Sequence, residues 1–404
     1  MSAPTPDLLG PVEVGPVAHG GHCVARLPLP GEPEGSGGGR VVFVRHALPG
    51  ERVLLRVTDD SHAKFWRADA VEVLRASPDR VEPPCPVARP GLCGGCDFQH
   101  VDLAAQRRLK TAVVAEQLQR LAGIDWDGEV VGVDTPATAD GLHWRTRMRY
   151  QVDDDGRAGL RAHRSHAVVP LPDGGCPIAS TATPAVEGTT WPAGAELVAV
   201  AAADGPALLV DGRLREGRPA VVEQAADRRW EVAADGFWQV HPAAADTLVE
   251  AVLEGLAPRA GERAFDLYCG VGLFAGALAA AGCRVWGLEA GHQAVLAARR
   301  NLEEFGDRVR LRADRVERGL AKLPPRADLV VLDPPRSGAG KQVVAALLER
   351  RPRAVAYVAC DPAALARDLA TAARHGYEAT SIRGFDLFPM TQHVECVAVL
   401  RPAG

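Results

Sequence analysis

Three short runs in the carboxyl-terminal third of the chain hold residues whose types could make and break bonds. In Ala359-Cys360-Asp361-Pro362 a cysteine stands at a strand tip that opens a helix. Its thiolate there would be stabilised by unpaired backbone N–H groups. In His393-Val394-Glu395-Cys396 a carboxylate enters a strand that otherwise runs apolar through VAVL. Burying it is costly unless it is paired or used. In Leu332-Asp333-Pro334-Pro335-Arg336-Ser337-Gly338 an acid ends a strand, and two prolines lock the backbone beside it. A nucleophilic thiol with a buried carboxyl is the equipment for covalent catalysis coupled to proton transfer. Cys269 and Cys283 read instead as small buried hydrophobes.

A fourth run, Asp266-Leu-Tyr268-Cys-Gly270-Val-Gly272-Leu-Phe-Ala-Gly276, is a glycine turn between a strand and a helix. Missing Cβ atoms at Gly270 and Gly272 let the backbone approach a ligand. Glu289 ends the next strand, 19 residues after Gly270. A carboxylate there accepts both ribose hydroxyls, which suits S-adenosylmethionine or NAD and disfavours NADP. Asp314, ending the third strand, would face the adenine, with a helix N-cap as the plainer alternative.

Four cysteines form a separate set: Cys85-x7-Cys93-Gly-Gly-Cys96, and Cys176-Pro177-Ile178 far downstream. The Cys-x2-Cys pair marks a metal site in a cytosolic chain, and zinc and iron-sulfur share this ligand set. The wide spacing, the Gly-Gly approach and the Cys-Pro ending favour a [4Fe-4S] cluster. Residues 141 to 166 interleave six arginines with Trp144 and Tyr150. They suit a single-stranded RNA surface, although Arg145, Arg147 and Arg149 equally fit the solvent face of one strand.

The elements that must position these residues fall into three parts. Residues 1–78 alternate five short β-type runs with turn signals, which predicts a small OB-like barrel with a flexible hairpin tip at 31 to 39. Residues 79–245 form a central α+β domain that opens with the cysteine module. Its helix at about 100–123 is expected to pack on the catalytic domain, and the stretch from 129 to 245 shows no clear period. Residues 246–404 alternate strands with helices, the pattern of a parallel, doubly wound Rossmann-like sheet. The last two strands have no helix between them and should close the sheet as an antiparallel hairpin, an ending that fits class I methyltransferases better than dehydrogenases.

Composition sets outer bounds. The 404 residues carry a net charge of -5, so any nucleic-acid surface must be local. Forty-two of the 46 basic residues are arginines, which biased codon composition explains better than function does. Nine cysteines without a signal sequence should be reduced thiols, and no apolar run approaches the roughly 20 residues of a membrane span. A cytoplasmic monomer without a membrane partner is expected.

Together DLYCGVG, LDPPRSG, CDP, HVEC and Phe237-Trp238-Gln239-Val240 resemble the RNA uracil-5-methyltransferases, which form 5-methyluridine. The barrel, with VVFVRHALPGERV, is similar to the TRAM domain that some members carry. The resemblance spans almost the whole chain. It implies that Gln239, Tyr268, Glu289 and Asp333 bind S-adenosylmethionine, that Cys360 is the nucleophile and that Glu395 is the base. Leu273 departs from the pattern, standing where several members place an asparagine. The resembling subfamily carries a [4Fe-4S] cluster, implied here for Cys85, Cys93, Cys96 and Cys176, and its RNA is ribosomal or transfer RNA, with the architecture favouring ribosomal. Two other readings are an NAD-dependent oxidoreductase, which has no use for Cys360 and Glu395, and an RNA-binding iron-sulfur scaffold, which has no use for an intact Asp333.

Overall fold

The computed structural model describes residues 8–28 and 39–404; the expected hairpin tip, apart from Gly39, lies outside them. Strands β1 (Leu9–Ala18), β2 (His22–Leu27), β3 (Arg40–Arg45), β4 (Arg52–Asp59) and β5 (Phe65–Arg75) close a barrel in the order β1-β2-β3-β5-β4. Its interior is filled by alternating residues such as Val12 and Val14, Val42 and Val44, Val53 and Leu55. Phe98, Val101, Ala105 and Val113, from beyond the barrel, complete that core. Ala105 and Val113 belong to helix α1 (Leu103–Ala122), which starts at Asp102, whose side chain accepts from Ala104 N and Ala105 N, and stops at Gly123 with φ 66°.

After β6 (Val130–Gly132), the stretch without a legible period folds as β7 (Arg147–Val152), β8 (Ala158–Arg161), β9 (Val168–Pro170), β10 (Glu196–Ala202), β11 (Gly205–Val210) and β12 (Arg213–Glu216). These form one sheet in the order β12-β11-β10-β7-β8-β9, antiparallel at every pairing. Leu197 and Ala199 of β10 pack in one apolar cluster and Val198 and Val200 in another, so both faces are covered. A strand buried on two faces loses the polar-apolar alternation that announces it. A hairpin of β13 (Ala220–Ala225) and β14 (Arg228–Ala233) follows.

The last part begins with α2 (Ala244–Leu256) and continues as β15 (Arg263–Leu267), α3 (Leu273–Ala280), β16 (Arg284–Glu289), α4 (His292–Asn301), β17 (Val309–Ala313), α5 (Val316–Gly319), β18 (Leu329–Leu332), α6 (Gly340–Leu348), β19 (Ala354–Ala359), α7 (Pro362–Arg374), β20 (Tyr377–Asp386) and β21 (Glu395–Pro402). The eight-stranded sheet runs β17-β16-β15-β18-β19-β21-β20-β6. β15 to β19 are mutually parallel, and β21 inserts antiparallel between β19 and β20. Leu248, Phe274 and Leu278 cover one face; Val343, Leu347, Leu365 and Leu369 cover the other. α1 lies against α7 and gives Val114 and Leu118 to that second layer. It is therefore wedged between barrel and sheet, which explains why Gln106, Lys110 and Gln117 are buried on it. Among the described residues no helix is long and apolar enough to cross a membrane.

Candidate active site and cysteine pocket

The carboxyl ends of β15, β16, β18 and β19 open on one edge of the sheet, the place where open α/β sheets hold their ligands. Tyr268 N and Cys269 N both donate to Leu288 O, at 2.8 and 3.0 Å, and fold the glycine turn across the end of β16. Gly272 sits at φ 95°, where a Cβ would also meet Leu302 Cδ1 at 2.8 Å, so only glycine fits. Tyr268, at φ 67°, takes the left-handed conformation at a cost that the turn imposes. The Glu289 carboxylate accepts from Gly270 N at 3.1 Å and Gly291 N at 2.7 Å. Two fixed donors aim it and leave lone pairs free for a diol.

Around Glu289 lie further acids. Asp266 accepts from Ala275 N at 2.7 Å, while its Oδ1 has no partner among the described residues. Burial pushes Asp266 up to about 8, and burial with the nearby Glu289 charge pushes Asp333 up to about 7. Asp314, expected to face an adenine, is held by Lys322 Nζ at 2.5 Å, which keeps its carboxyl below the usual range. Its backbone N donates to Glu289 O at 2.9 Å, so it stays next to Glu289 while its side chain is held in an ion pair. Gln239 is partly exposed and follows the buried Trp238; Thr146 anchors the segment through two bonds to Val240 O, at 2.9 and 3.0 Å.

The antiparallel register brings the nucleophile candidate to the acid. Ala359 pairs with Cys396, so the next position sets Cys360 across from Glu395. Directly opposed residues project to the same face about 5 Å apart. Burial, followed by the Glu395 charge, pushes the Cys360 thiol up to about 12, while the Arg336 guanidinium works in the other direction. Burial and Asp333 hold Glu395 well above the usual carboxylate range. Cys269 and Cys396 are fully enclosed and their thiols are pushed up by burial, whereas Cys360 opens into a cleft with Arg336, His393, Gln392, Asp361 and His19. Asp361 caps α7 by accepting from Ala364 N at 2.7 Å.

Two imidazoles at this cleft, His393 and His19, were given no role from the sequence. Arg336 donates to His393 Nε2 at 3.2 Å, and burial lowers that imidazole to about 4, so it is neutral at pH 7. His19, from the turn after β1, meets Asp361 Oδ2 at 3.0 Å and so brings the barrel to the strand-end cleft. The two residues are 342 positions apart, and no local pattern announces such a contact.

The four cysteines Cys85, Cys93, Cys96 and Cys176 line one small cavity together with Gln99, Leu160 and Leu171. Gly95 N donates to Cys93 Sγ at 3.4 Å and Gln99 Nε2 to Cys96 Sγ at 3.1 Å. Backbone groups of Ala88 and Ile178 favour the thiolates of Cys85 and Cys176, but burial outweighs them and pushes every one of the four thiols up. Among the described residues no three His, Cys, Asp or Glu side chains are gathered as for a single metal ion, and the thiols stand around the cavity instead. The arginine run departs from a free basic face. Arg147 is buried against Glu223 at 2.7 Å, Arg149 pairs with Glu196, and Arg145 lies over the Trp144 ring at 5.6 Å.

Comparison with known proteins agrees with this geometry. The tRNA (uracil-5-)-methyltransferase family model matches residues 220–402 and the TRAM domain model residues 11–71. A Streptomyces coelicolor protein named an uncharacterized RNA methyltransferase is 51% identical over 97% of this chain and 92% of its own. A Bifidobacterium longum protein of the same description is 38% identical over 94% and 93%. Among solved structures, the Pyrococcus abyssi tRNA (uracil-54, C5)-methyltransferase in complex with S-adenosyl-L-homocysteine superposes with a TM-score of 0.70, at 23% identity, over 96% of this chain and 99% of that one, which shows a shared fold. With its barrel, its strand-end cleft and these relatives, the chain belongs to the RNA (uracil-5-)-methyltransferase family in a TRAM-bearing form.

Proposed function

We propose that this chain methylates C5 of a uridine in RNA through a covalent bond between Cys360 and C6 of the ring. The observation that carries the reading is the last registered pair of β19 and β21, Ala359 with Cys396: Cys360 and Glu395 are the next residues on each side, and the Glu395 charge acts on the Cys360 thiol. C5 of uracil is too weak a nucleophile to react unaided, so Cys360 Sγ adds at C6 and the ring becomes an enolate, nucleophilic at C5. When bound, S-adenosylmethionine would supply the electrophilic methyl group to C5, its sulfur keeping the electron pair of the broken bond as S-adenosylhomocysteine leaves. Glu395 then takes the C5 proton, and β-elimination returns the electron pair to Cys360 Sγ. Burial favours the protonated forms of Cys360 and Glu395 in the free protein, so the thiol must give up its proton before it adds at C6 and the carboxyl must give up its own before it can take one from C5. Arg336 is the cation that favours the thiolate.

The residues fit the cofactor. Glu289 would offer its remaining lone pairs to the ribose, and the buried acids Asp266 and Asp333 would favour a positively charged ligand. Tyr268, Gly270 and Gly272 would shape the turn around it, and Gln239, in the segment after β14, would be a further contact. Asp314 would act through its backbone. For the cysteine pocket we take a [4Fe-4S] cluster held by Cys85, Cys93, Cys96 and Cys176; thiols standing around a cavity, with N–H donors aimed at Cys93 and Cys96, support it. Barrel and pocket together favour ribosomal over transfer RNA.

The test uses RNA carrying 5-fluorouridine, whose fluorine cannot leave as a cation. Wild-type protein should give a protein–RNA band on a denaturing gel, Glu395→Gln should give one with ordinary RNA, and Cys360→Ala should give neither band nor product. Methylation by Cys360→Ala would sink the mechanism. Mapping 5-methyluridine in both RNA classes from a deletion strain decides the substrate.

A further inference from the structure

The segment that leads into Glu395, residues 387–394, runs from the end of β20 across the front of the cleft and carries Gln392 and His393. It has almost no regular structure of its own, so the groups that hold it set where Glu395 begins. Those groups come from the cysteine module and from α1. Asp97 N and Phe98 N both donate to Met390 O at 3.0 Å. The Asp97 carboxylate accepts from Gln392 N at 3.1 Å. Gln106 accepts from Met390 N at 2.8 Å and is itself fixed by donating to Phe98 O and Val101 O. Lys110, fully buried, donates to Phe388 O at 3.0 Å and to Asp386 at 2.5 Å.

Met390 is the residue at which this clamp closes. Its φ is 66°, a conformation that a side chain-bearing residue holds only when its surroundings impose it. Both its N–H and its carbonyl are engaged, and its side chain packs in one cluster with Cys96, Trp144 and Ile178, against which Cys176 also lies. Asp97 directly follows Cys96, and Arg45 of the barrel ties the two together by donating to Cys96 O at 3.4 Å and Asp97 Oδ1 at 3.5 Å. The cavity wall and the catalytic segment are thus joined both by apolar contact and by backbone hydrogen bonds. A shift of the Cys96 turn when the pocket empties would be passed to Met390 and from there to Gln392, His393 and Glu395.

We propose that Asp97, with Met390, is a positioning element for methyl transfer that makes the placement of the 387–394 segment depend on occupancy of the four-cysteine pocket. The proposal rests on the readings of that pocket as a cluster site and of Glu395 as the base. Asp97 touches no substrate; it acts through Gln392 and Met390.

Hydrogen exchange on the full chain, followed by mass spectrometry, tests it. Four samples are compared: wild type as purified, wild type stripped with an iron chelator, Asp97→Ala and Asp97→Asn. Asp97→Ala should keep its iron and its affinity for S-adenosylhomocysteine, exchange the 387–394 amides roughly tenfold faster or more, and lose turnover by a similar factor with KM for RNA unchanged. Asp97→Asn keeps an oxygen that can accept from Gln392 N and should recover part of both. The stripped wild type should loosen the same segment while peptides of β15 and β16 exchange as before; it needs no substitution, so the test survives a variant that fails to fold. Wild-type exchange of 387–394 in Asp97→Ala or in the stripped protein overturns the proposal. Purified wild type without iron and sulfide would overturn the cluster reading instead, leaving Asp97→Ala to decide the clamp. Product without 5-methyluridine would overturn the role of Glu395 and leave the exchange result standing.

Discussion

The strand-end cleft gathers Asp266, Glu289, Asp333 and Glu395 around few cations, and burial pushes three of these acids up. The cysteine pocket gathers four thiols, of which Cys93 and Cys96 receive N–H donors, behind walls that are mostly apolar. Both are buried polar clusters, yet they are finished differently. An acid-rich cleft whose acids burial holds protonated would favour a cationic ligand, which would lower their pKa on binding. A pocket in which two of four sulfurs already have donors fits the proposed cluster. Under the proposed function the contrast is between a site that turns over and one that is built once.

The largest effect should come from emptying the pocket for good. Cys93→Ala is expected to lose its metal and to lower stability by on the order of 3 kcal/mol, read by iron assay and thermal unfolding. Its affinity for S-adenosylhomocysteine should survive, because the sheet has its own two apolar layers. An equal loss of cofactor affinity would erase the distinction between the two regions.

A smaller effect sharpens the account of the cleft. Asp333→Asn should weaken S-adenosylmethionine by about 1.5–3 kcal/mol, the worth of hydrogen bonds to a charged group, measured by calorimetry. The same variant should melt higher than wild type without cofactor. Asp333 is raised from 3.8 to about 7 on folding, so the fold holds a proton that the unfolded chain has released above pH 4. Its contribution to stability falls as pH rises from about 4 to 7 and is level beyond. The advantage of Asp333→Asn should therefore grow across that window, and a constant difference would remove the carboxyl from the explanation.

The smallest effect is a fraction of a proton. At pH 7, binding of the sulfonium should release protons from Asp333 and Asp266, whereas uncharged S-adenosylhomocysteine should release fewer. Calorimetry in buffers of different ionisation enthalpy gives the count, and equal release by both ligands would contradict a cation-seeking floor.

Legibility varied along the chain for physical reasons. The barrel strands are legible because short β-type runs alternate with turn signals, and α1 because of its apolar spacing and the Gly123 that ends it. The central sheet is not, because Leu197-Val198-Ala199-Val200 is apolar on both faces and carries no period. Arg147 looked like part of a surface stripe, yet it is buried with Glu223, because a partner 76 residues away can neutralise a charge that composition alone would leave in water.

Cys360, Glu395, Asp333, Glu289 and the four cysteines are proposed from the sequence, Glu395, Cys360 and the Cys93–Cys96 pair because each breaks a local rule: an acid in an apolar strand, a thiol at a helix start, a glycine pair between cysteines. What only the tertiary structure decided is who stands beside whom. Glu395 faces Cys360 because β21 inserts between β19 and β20, Asp314 is taken up by Lys322, His19 crosses from the barrel to Asp361, and Asp97 holds Gln392 from 295 residues away. Such contacts follow from how the burial of whole faces aligns distant segments, and a one-dimensional pattern records the faces but not their alignment.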